Sequence, residues 1–441
     1  MNRCLMLGRL PDVEPAWTCW SYKEIFMSSR NMCIALVLLL GLQDVLAAAA
    51  PRADVPVRIY QPKTLKAAAI PAVRTSLGLP NDYKPWIARL KNGELLIVAF
   101  SFGGVPGHEL KKGEPYSERA IFFRSRDGGR TWLPREERKD IHGREFALSV
   151  LSDGAIIMPC HFLANDAFNK SKHTYSKVFR STDHGKTWTE TRIGPQPFPE
   201  RASTQSDWTA FEIPDPRRPG KQVACLGVSI AHGRKLAPEN VFLWQSRDGG
   251  ATWDRSLQPD TRGWIDVDGF FCQSVTYAGE RNRLLHVVRV DRTGPHWKMQ
   301  LKPGEKLAGN DNADRSMLWV SRDGGKSWRK AVDGGRFGTY GEMYPRFLKL
   351  ADGRLMLTFT VRSGSSDGFP LGVRAILSED DGDTWDFRHD RLVISYENTG
   401  ASGGGFGNTV QNPDGSLVSV YSYRKPDGKT YIETVRWRAP R

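Results

Sequence analysis

The sequence predicts an all-β protein, a six-bladed β-propeller made of four-stranded antiparallel blades. Two repeated patterns support this prediction. The pattern Ser-x-Asp-x-Gly-x-Thr/Ser-Trp occurs five times, beginning at Ser125, Ser181, Ser246, Ser321 and Ser378. A second pattern, two short apolar runs joined by a turn, occurs six times. Two hairpins in each repeat give four antiparallel strands, which is the content of one propeller blade.

The eight-residue pattern, called the box below, predicts the outer hairpin of a blade. In the stretch AIFFRSRDGGRTWLP, β-branched and aromatic residues flank an Asp-x-Gly turn. Aspartate accepts hydrogen bonds inside such a turn, and glycine adopts backbone angles that other residues resist. Tryptophan supplies a large apolar surface for packing between sheets. The five box tryptophans are 56, 65, 75 and 57 residues apart, which suits one box per blade.

The second pattern predicts the inner hairpin of each blade. Its six copies begin at Ala88, Ala147, Phe211, Phe270, Phe347 and Thr409. The last repeat continues into a third strand, TYIETVRWR, but has no box. We expect a strand from the other end of the chain, around 57–61, to complete this blade, because ring closure removes exposed sheet edges.

The N-terminal region predicts export. An apolar run over 34–42 is followed by small residues, as in a secretory signal peptide cleaved near Ala48–Ala50. The run is shorter than the roughly 20 residues that span a bilayer, so we expect no stable membrane anchor. Met27 is a plausible true start. The predicted organisation is therefore an extension and signal peptide over 1–50 and a single propeller domain over 51–441, secreted or periplasmic.

Composition narrows the classes of partner. The net charge of +14 is spread along the chain without a basic run, which argues against nucleic acid and suits an anionic carbohydrate. No metal or cofactor motif is present, so we expect no cofactor. Cys160, Cys225 and Cys272 remain after cleavage; buried thiols are favoured over a disulfide framework. A monomer is expected.

The boxes resemble the Asp-box (BNR) repeats of the sialidase, or neuraminidase, superfamily, whose catalytic domain is a six-bladed propeller. The resemblance covers roughly Tyr83 to the C-terminus. It implies a glycoside hydrolase of the exo-alpha-sialidase type that acts on an acidic glycan, sialic-acid-like or uronic. Such an enzyme uses three arginines to hold the sugar's carboxylate, a carboxylic acid to protonate the leaving oxygen, and a tyrosine nucleophile activated by a glutamate.

The resemblance places substrate-binding residues one at a time. Lys84 stands where the first arginine is expected, and lysine lacks the bidentate fork of arginine. Arg289 resembles the second arginine, with Asp266 or Asp268 upstream as a carboxylate. At the third position Gly368 precedes the Leu-Gly pair. The arginines near it that can substitute are Arg346, Arg362 and Arg374.

The catalytic residues follow from the same comparison. The loop before the first box offers Glu109, Glu114 and Glu118, and Glu114 or Glu118 is preferred as the general acid. The nucleophile position, eight residues before Asp414, holds Phe406, which cannot attack a sugar. The stretch YGEMYPRF offers Glu342 and Tyr344 as an alternative pair, and Tyr396 and Tyr421 are further tyrosines.

Lys84, Gly368 and Phe406 depart from the family pattern, so two other functions stay open. One is a lyase that acts on a uronic-acid polysaccharide, in which a cation neutralises the carboxylate and tyrosine or histidine removes the neighbouring proton. The other is a non-catalytic propeller that binds glycans or proteins.

Overall fold

A computed structural model describes most of the chain after residue 50. The described ranges are 51–52, 55–104, 106–107, 111, 113–171, 173–193, 203–232, 235–253, 274–290, 315–325, 327–330, 336–337, 342–361, 371–395, 405–425 and 427–440. They lie within one compact unit, Ala49–Arg441. The predicted signal peptide and Cys272 fall outside the described residues.

The described residues form six antiparallel sheets, and each sheet is one blade. Four short strands come first: β1 (Pro51–Arg52), β2 (Val57–Tyr60), β3 (Ala69–Ile70) and β4 (Val73–Leu77). Blade 1 contains β5 (Asp82–Arg89), β6 (Leu95–Ser101), β7 (Arg119–Ser125) and β8 (Glu136–His142), with a 3₁₀ turn over Phe102–Gly104. Blade 2 contains β9 (Ser149–Val150), β10 (Ile156–Phe162), β11 (Tyr175–Ser181) and β12 (Thr189–Ile193). Blade 3 contains β13 (Ser203–Ser206), β14 (Phe211–Pro214), β15 (Gln222–His232) and β16 (Lys235–Ser246).

The second half of the chain repeats this arrangement. Blade 4 contains β17 (Ser274–Ala278), β18 (Leu284–Val290), β19 (Arg315–Ser321), β20 (Arg329–Lys330) and β21 (Arg336–Phe337). Blade 5 contains β22 (Glu342–Lys349), β23 (Leu355–Val361), β24 (Gly372–Ser378) and β25 (Arg391–Val393). Blade 6 contains β26 (Gly407–Gln411), β27 (Leu417–Arg424) and β28 (Thr430–Trp437). The predicted all-β, six-bladed propeller is confirmed.

A strand from the N-terminal side closes the ring, but it is not the predicted one. β4 pairs with β28 and completes blade 6, with Thr75 opposite Thr434. The predicted segment, 57–61, instead supplies β2, which pairs with β25 and widens blade 5. β2 alternates buried apolar and more exposed residues, whereas β4 exposes Val73 and buries Arg74, so the apolar pattern favours β2. Arg74 of β4 is buried beside Glu433 at 3.0 Å, and this contact fixes β4 on blade 6.

The five boxes form the turns that follow the third strands of blades 1 to 5, as predicted. In the blade 2 box, the Gly185 N–H donates to Ser181 Oγ at 2.8 Å. The Asp183 carboxylate accepts the N–H of Thr187 at 2.9 Å and its hydroxyl at 2.6 Å. Burial opposes ionisation of Asp183, but the hydrogen bonds from Thr187 and Ser181 outweigh it and lower the pKa of this carboxyl.

The boxes also connect neighbouring blades. Arg124, the residue before the blade 1 box, donates to the carbonyls of His184 and Gly185 in the blade 2 box at 3.0 and 2.8 Å. The ring of Trp188 lies 5.8 Å from that of Phe122 in blade 1. Arg180, before the blade 2 box, makes the same kind of bond to Gly249 at 2.7 Å. The box tryptophan therefore packs against the preceding blade.

Two further observations concern the described part of the chain. Cys160 and Cys225 are free and buried, in agreement with the prediction of buried thiols. Of the helices in the described ranges, none is long and apolar enough to cross a membrane.

Candidate functional site

Four side chains occupy the same position in the inner strands of four blades. Each inner hairpin turn is closed by an N–H to C=O bond of 2.8 Å, donated by Leu90, Leu151, Leu350 and Asn412 in blades 1, 2, 5 and 6. The residues six places before these donors are Lys84, Glu145, Tyr344 and Phe406. Because the inner strands of a propeller surround its axis, these four residues lie around the central channel.

Three of these four residues have an unusual backbone. Lys84, Glu145 and Tyr344 adopt φ values of 51°, 58° and 57°. Lys84 and Tyr344 each precede a proline, at a point where the pairing of their strand with the next one shifts. Non-glycine residues with positive φ are costly and cluster at functional sites. The positive φ values thus indicate a functional role for these residues and not only a packing role.

A small pocket opens beside these residues. Its free volume is about 10 Å³, close to that of a single water molecule, and we call it the axial pocket. The residues that line it are Lys84, Pro85, Trp86, Glu145, Phe146, Trp208, Arg346, Phe406 and Gly407. They come from blades 1, 2, 3, 5 and 6, so the pocket exists only when the ring is assembled.

Lys84 and Glu145 form a buried ion pair in the axial pocket, with 9% and 12% of their side chains exposed. The second oxygen of Glu145 lies 3.5 Å from His161 Nδ1. Lys84 Nζ also sits 4.0 Å from the centre of the Phe406 ring. Burial raises the pKa of Glu145, but Lys84, His161 and Arg144 together lower it below its usual value. Glu145 is therefore an ionised base at neutral pH.

Arg346 is a buried cation held between two tryptophans. Its guanidinium carbon lies 3.8 Å from the Trp208 ring centre and 4.4 Å from that of Trp86. Arg346 donates to the carbonyl of Pro345 at 2.6 Å and forms no ion pair within the described ranges. Burial lowers the pKa of this guanidinium well below its usual value. Its Nε and the Trp208 Nε1 are buried donors without an acceptor in the described part of the protein.

Tyr344 packs against the wall of the axial pocket. Its ring centre is 3.7 Å from that of Phe406 and 6.0 Å from that of Trp208, and only 2% of the residue is exposed. Tyr344 and Phe406 therefore touch, although the sequence places them in different blades. Of the predicted site residues, Lys84 and Arg346 line the pocket, and Tyr344 packs behind Phe406 in its wall.

The predicted acids of the first loop lie elsewhere. Glu118 is fully buried and pairs with Arg144 Nε at 3.2 Å. Arg144 also donates to the Tyr83 hydroxyl at 2.8 Å, and burial raises the pKa of that tyrosine. Glu118 thus supports the residues that neighbour Lys84 and Glu145, and it does not line the axial pocket. Glu114 is partly exposed and accepts the Lys111 N–H at 3.0 Å.

The remaining predicted residues are placed as follows. Arg374 is fully buried and donates to the carbonyls of Val373, Ser395 and Leu371, so its guanidinium is engaged within blade 5. Arg289 lies opposite Ser316 in blade 4, and Glu342 lies opposite Val361 in blade 5. For these two residues the structure describes the backbone and not the side chain. Arg362, Asp268, Gly368, Glu109 and Tyr396 lie outside the described residues. Their roles stay predictions.

Glu145, Trp86 and Trp208 were missed from sequence. For Glu145 a signal existed: Phe406 was located eight residues before Asp414, and the same count from Asp153 in blade 2 reaches Glu145. The tryptophans gave no such signal. Fourteen tryptophans occur in the chain, five of them in boxes, and nothing local marks which of the other nine line the channel. Trp208 also lies in a break between β13 and β14, where counting along the strand fails.

Comparisons with known proteins agree with this fold. A family model described as BNR/Asp-box repeat matches residues 179–190, the box of blade 2. No curated protein matches the sequence. Similar solved structures include a protein of unknown function from Dyadobacter fermentans, 18% identical, with 89% of this chain and 99% of that chain covered at a TM-score of 0.55.

Two other similar structures are glycoside hydrolases. The GH93 α-L-arabinofuranosidase of Fusarium graminearum, solved with arabinobiose, is 14% identical over 87% of this chain and 97% of its own, at a TM-score of 0.50. The Hadza microbial sialidase Hz136 is 13% identical over 81% of this chain and 66% of its own, also at 0.50. At such identities the likeness concerns the fold alone. The chain therefore carries an Asp-box repeat at residues 179–190 and shares the propeller fold of these solved structures.

Proposed function

We propose that this propeller is an exported, sialidase-like glycoside hydrolase that acts on an acidic glycan and binds the sugar's carboxylate in the axial pocket. One observation carries the proposal: Arg346 is buried between two tryptophans and has no carboxylate partner in the described part of the chain. A buried cation is costly unless an anion accompanies it. A substrate carboxylate would supply that anion.

The charges of the axial pocket favour the same ligand. Lys84 and Arg346 carry two positive charges, and Glu145 offsets one of them. The pocket thus retains a net positive charge for an incoming acid. The flanking indoles stabilise the guanidinium through cation–π contacts and fix its plane, which prepares it for a bidentate carboxylate.

Glu145 is the proposed catalytic carboxylate. Its lowered pKa keeps it ionised, so it would act as a base or nucleophile and not as the proton donor. Glycoside hydrolysis then needs a second acid on the leaving-group side. Glu118 is fully buried against Arg144 outside the pocket, which leaves Glu114, a partly exposed residue, and Glu342 as the candidates.

The test is hydrolysis by the mature protein, with Glu145→Gln as the inactive variant. Substrates are a sialoside, a panel of uronic-acid glycosides and neutral arabinobiose. We expect release of an acidic sugar by the wild type, and a loss of at least about 100-fold in kcat/KM for Glu145→Gln, since such groups contribute 10²–10⁴-fold. Cleavage of arabinobiose without cleavage of any acidic glycoside would contradict the proposal.

A uronic-acid lyase is the second candidate, and one observation favours it. In the described lining of the axial pocket Glu145 is the one carboxylate, while Tyr344 and His161 lie close by. Elimination needs a neutralised carboxylate, a base for the neighbouring proton and an acid that protonates the leaving oxygen, and none of these groups has to be a second carboxylate. The two functions differ in product: a lyase creates an unsaturated sugar that absorbs in the ultraviolet, and a hydrolase does not.

Export is part of the proposal and has its own test. The apolar run over 34–42 and the small residues after it support cleavage near Ala48–Ala50. Mass spectrometry of protein purified from a native-like secreting host should give an N-terminus close to those alanines. Recovery of the protein inside the cytoplasm with residues 28–50 intact would argue against export.

A further inference from the structure

Trp208 reaches the axial pocket because the inner strand of blade 3 is interrupted. β13 pairs with β15 over 203–206 and β14 pairs with the same strand over 211–214. Between them, the Asp207 N–H still donates to the Gly227 carbonyl at 2.8 Å, which holds the break in place. The indole of Trp208 is 4% exposed and lines the pocket. A regular strand would place a different residue there.

Trp86 and Trp208 flank Arg346 in nearly the same way but differ in one respect. Both rings lie within 4.4 Å of the guanidinium carbon, and they meet each other edge to face, with centroids 6.0 Å apart. The Nε1 of Trp208 is buried and lacks an acceptor in the described part of the chain, as does the Nε of Arg346. The Nε1 of Trp86 is not in this condition. One indole thus has an unused hydrogen-bond donor.

Two residues that line the pocket, Trp208 and Arg346, each carry a buried donor without an acceptor in the described part of the chain. A buried indole N–H normally has a partner, and leaving it without one is costly. A carboxylate has two oxygens, so it can accept from the indole and from the guanidinium together. A sugar hydroxyl could accept one of these bonds, but it would leave the charge of Arg346 uncompensated.

Resting on the function proposed above, we propose that Trp208 donates its indole N–H to the carboxylate of the bound sugar and so helps to select acidic over neutral sugars. Trp86 then serves only to hold the guanidinium of Arg346. Both tryptophans orient the guanidinium of Arg346, and Trp208 alone also contacts the ligand.

The matched pair of variants Trp208→Phe and Trp86→Phe tests this division. Each change keeps an aromatic ring beside Arg346 and removes an indole. Binding of N-acetylneuraminate, glucuronate and neutral glucose is measured by calorimetry. We expect Trp208→Phe to weaken binding of the acidic sugar about tenfold, the effect of one hydrogen bond to a charged group. Trp86→Phe should weaken it by about twofold, because only a cation–π contact is reduced.

The outcomes separate the inference from the proposed function. Equal losses of affinity in the two variants would overturn the role of Trp208. The proposal that the pocket binds an acidic sugar would still stand. Wild-type protein that binds neither acid more tightly than glucose would overturn both. NMR of wild-type protein labelled with ¹⁵N-tryptophan covers the case of a variant that does not fold. An indole N–H signal should shift with the acid that binds and not with glucose, and no shift would contradict the proposal.

Discussion

The Lys84–Glu145 pair gives the sharpest prediction about stability. Glu145→Gln keeps the shape of the side chain and removes its charge, so Lys84 is left as a buried ammonium without its counter-ion. Both side chains are about nine-tenths buried, which places the pair with buried and not surface ion pairs. Breaking a buried pair costs about 3–5 kcal/mol. Because the Phe406 ring, 4.0 Å from Nζ, still faces the ammonium, we expect about 3 kcal/mol.

The reverse change should cost less. In Lys84→Met, Glu145 keeps His161 at 3.5 Å, and a proton taken up by that histidine restores part of the lost attraction. We expect a loss of about 2 kcal/mol, and a coupling of about 2 kcal/mol between the two changes in a double-mutant cycle. The asymmetry between the two single variants is the distinctive part of this prediction.

Urea unfolding of the wild type, both single variants and the double variant measures these energies. The control is Lys63→Met, which removes a surface pair with Asp386 in which 58% and 41% of the side chains are exposed. The control should change the free energy of unfolding by less than about 1 kcal/mol. A Lys84–Glu145 coupling as small as a surface pair would refute the description of the axial pocket as a low-dielectric site.

Three other predictions concern residues away from the axial pocket. Asp183→Asn should destabilise the protein by about 1–2 kcal/mol by weakening the box hydrogen bonds, with kcat unchanged, as unfolding and rate measurements would show. Tyr421→Phe should lower the free energy of unfolding by about 1–3 kcal/mol, because the buried hydroxyl is hydrogen-bonded to Arg74 and Glu433. The variant should keep full activity, and an inactive variant would make Tyr421 the nucleophile. Burial lowers the pKa of His286 to about 3. At pH values between the usual pKa of histidine and this lowered value, the unfolded chain binds a proton that the folded protein does not bind. The free energy of unfolding should therefore fall as the pH drops through that window. His286→Gln should lessen this fall in acid unfolding curves.

The fold could be predicted because its signals are local and repeated. The box at Ser181 needs only its own eight residues to close its turn, and the inner-hairpin pattern, which occurs six times, gives the blade count. The ring-closing strand could not be predicted as well. β2 has the regular apolar alternation and β4 does not, and the place of β4 depends on the contact of Arg74 with Glu433, more than 350 residues away.

The candidate site was predictable only where it follows the blade repeat. Lys84 was placed by the resemblance of its position to the family's first arginine, and Phe406 by counting back from Asp414; the same count from Asp153 gives Glu145. Trp208 lies in a break of the repeat, and its contact with Arg346 joins blades 3 and 5. The hydrogen bonds from Arg374 to backbone carbonyls could not be predicted either, because the residues around Arg374 in the sequence resemble those around any arginine in a strand.

The central claim is that the axial pocket receives a carboxylate on Arg346. The most direct measurement is the Kd of glucose divided by the Kd of the acidic sugar that binds, glucuronate or N-acetylneuraminate. This ratio is measured for wild-type protein and for Arg346→Gln. We predict that the wild type binds the acid more tightly by at least about tenfold, as a hydrogen-bonded charge pair requires. The ratio should approach one in the variant. A wild-type ratio near one, or a preference for the acid that survives loss of the guanidinium, would contradict the claim.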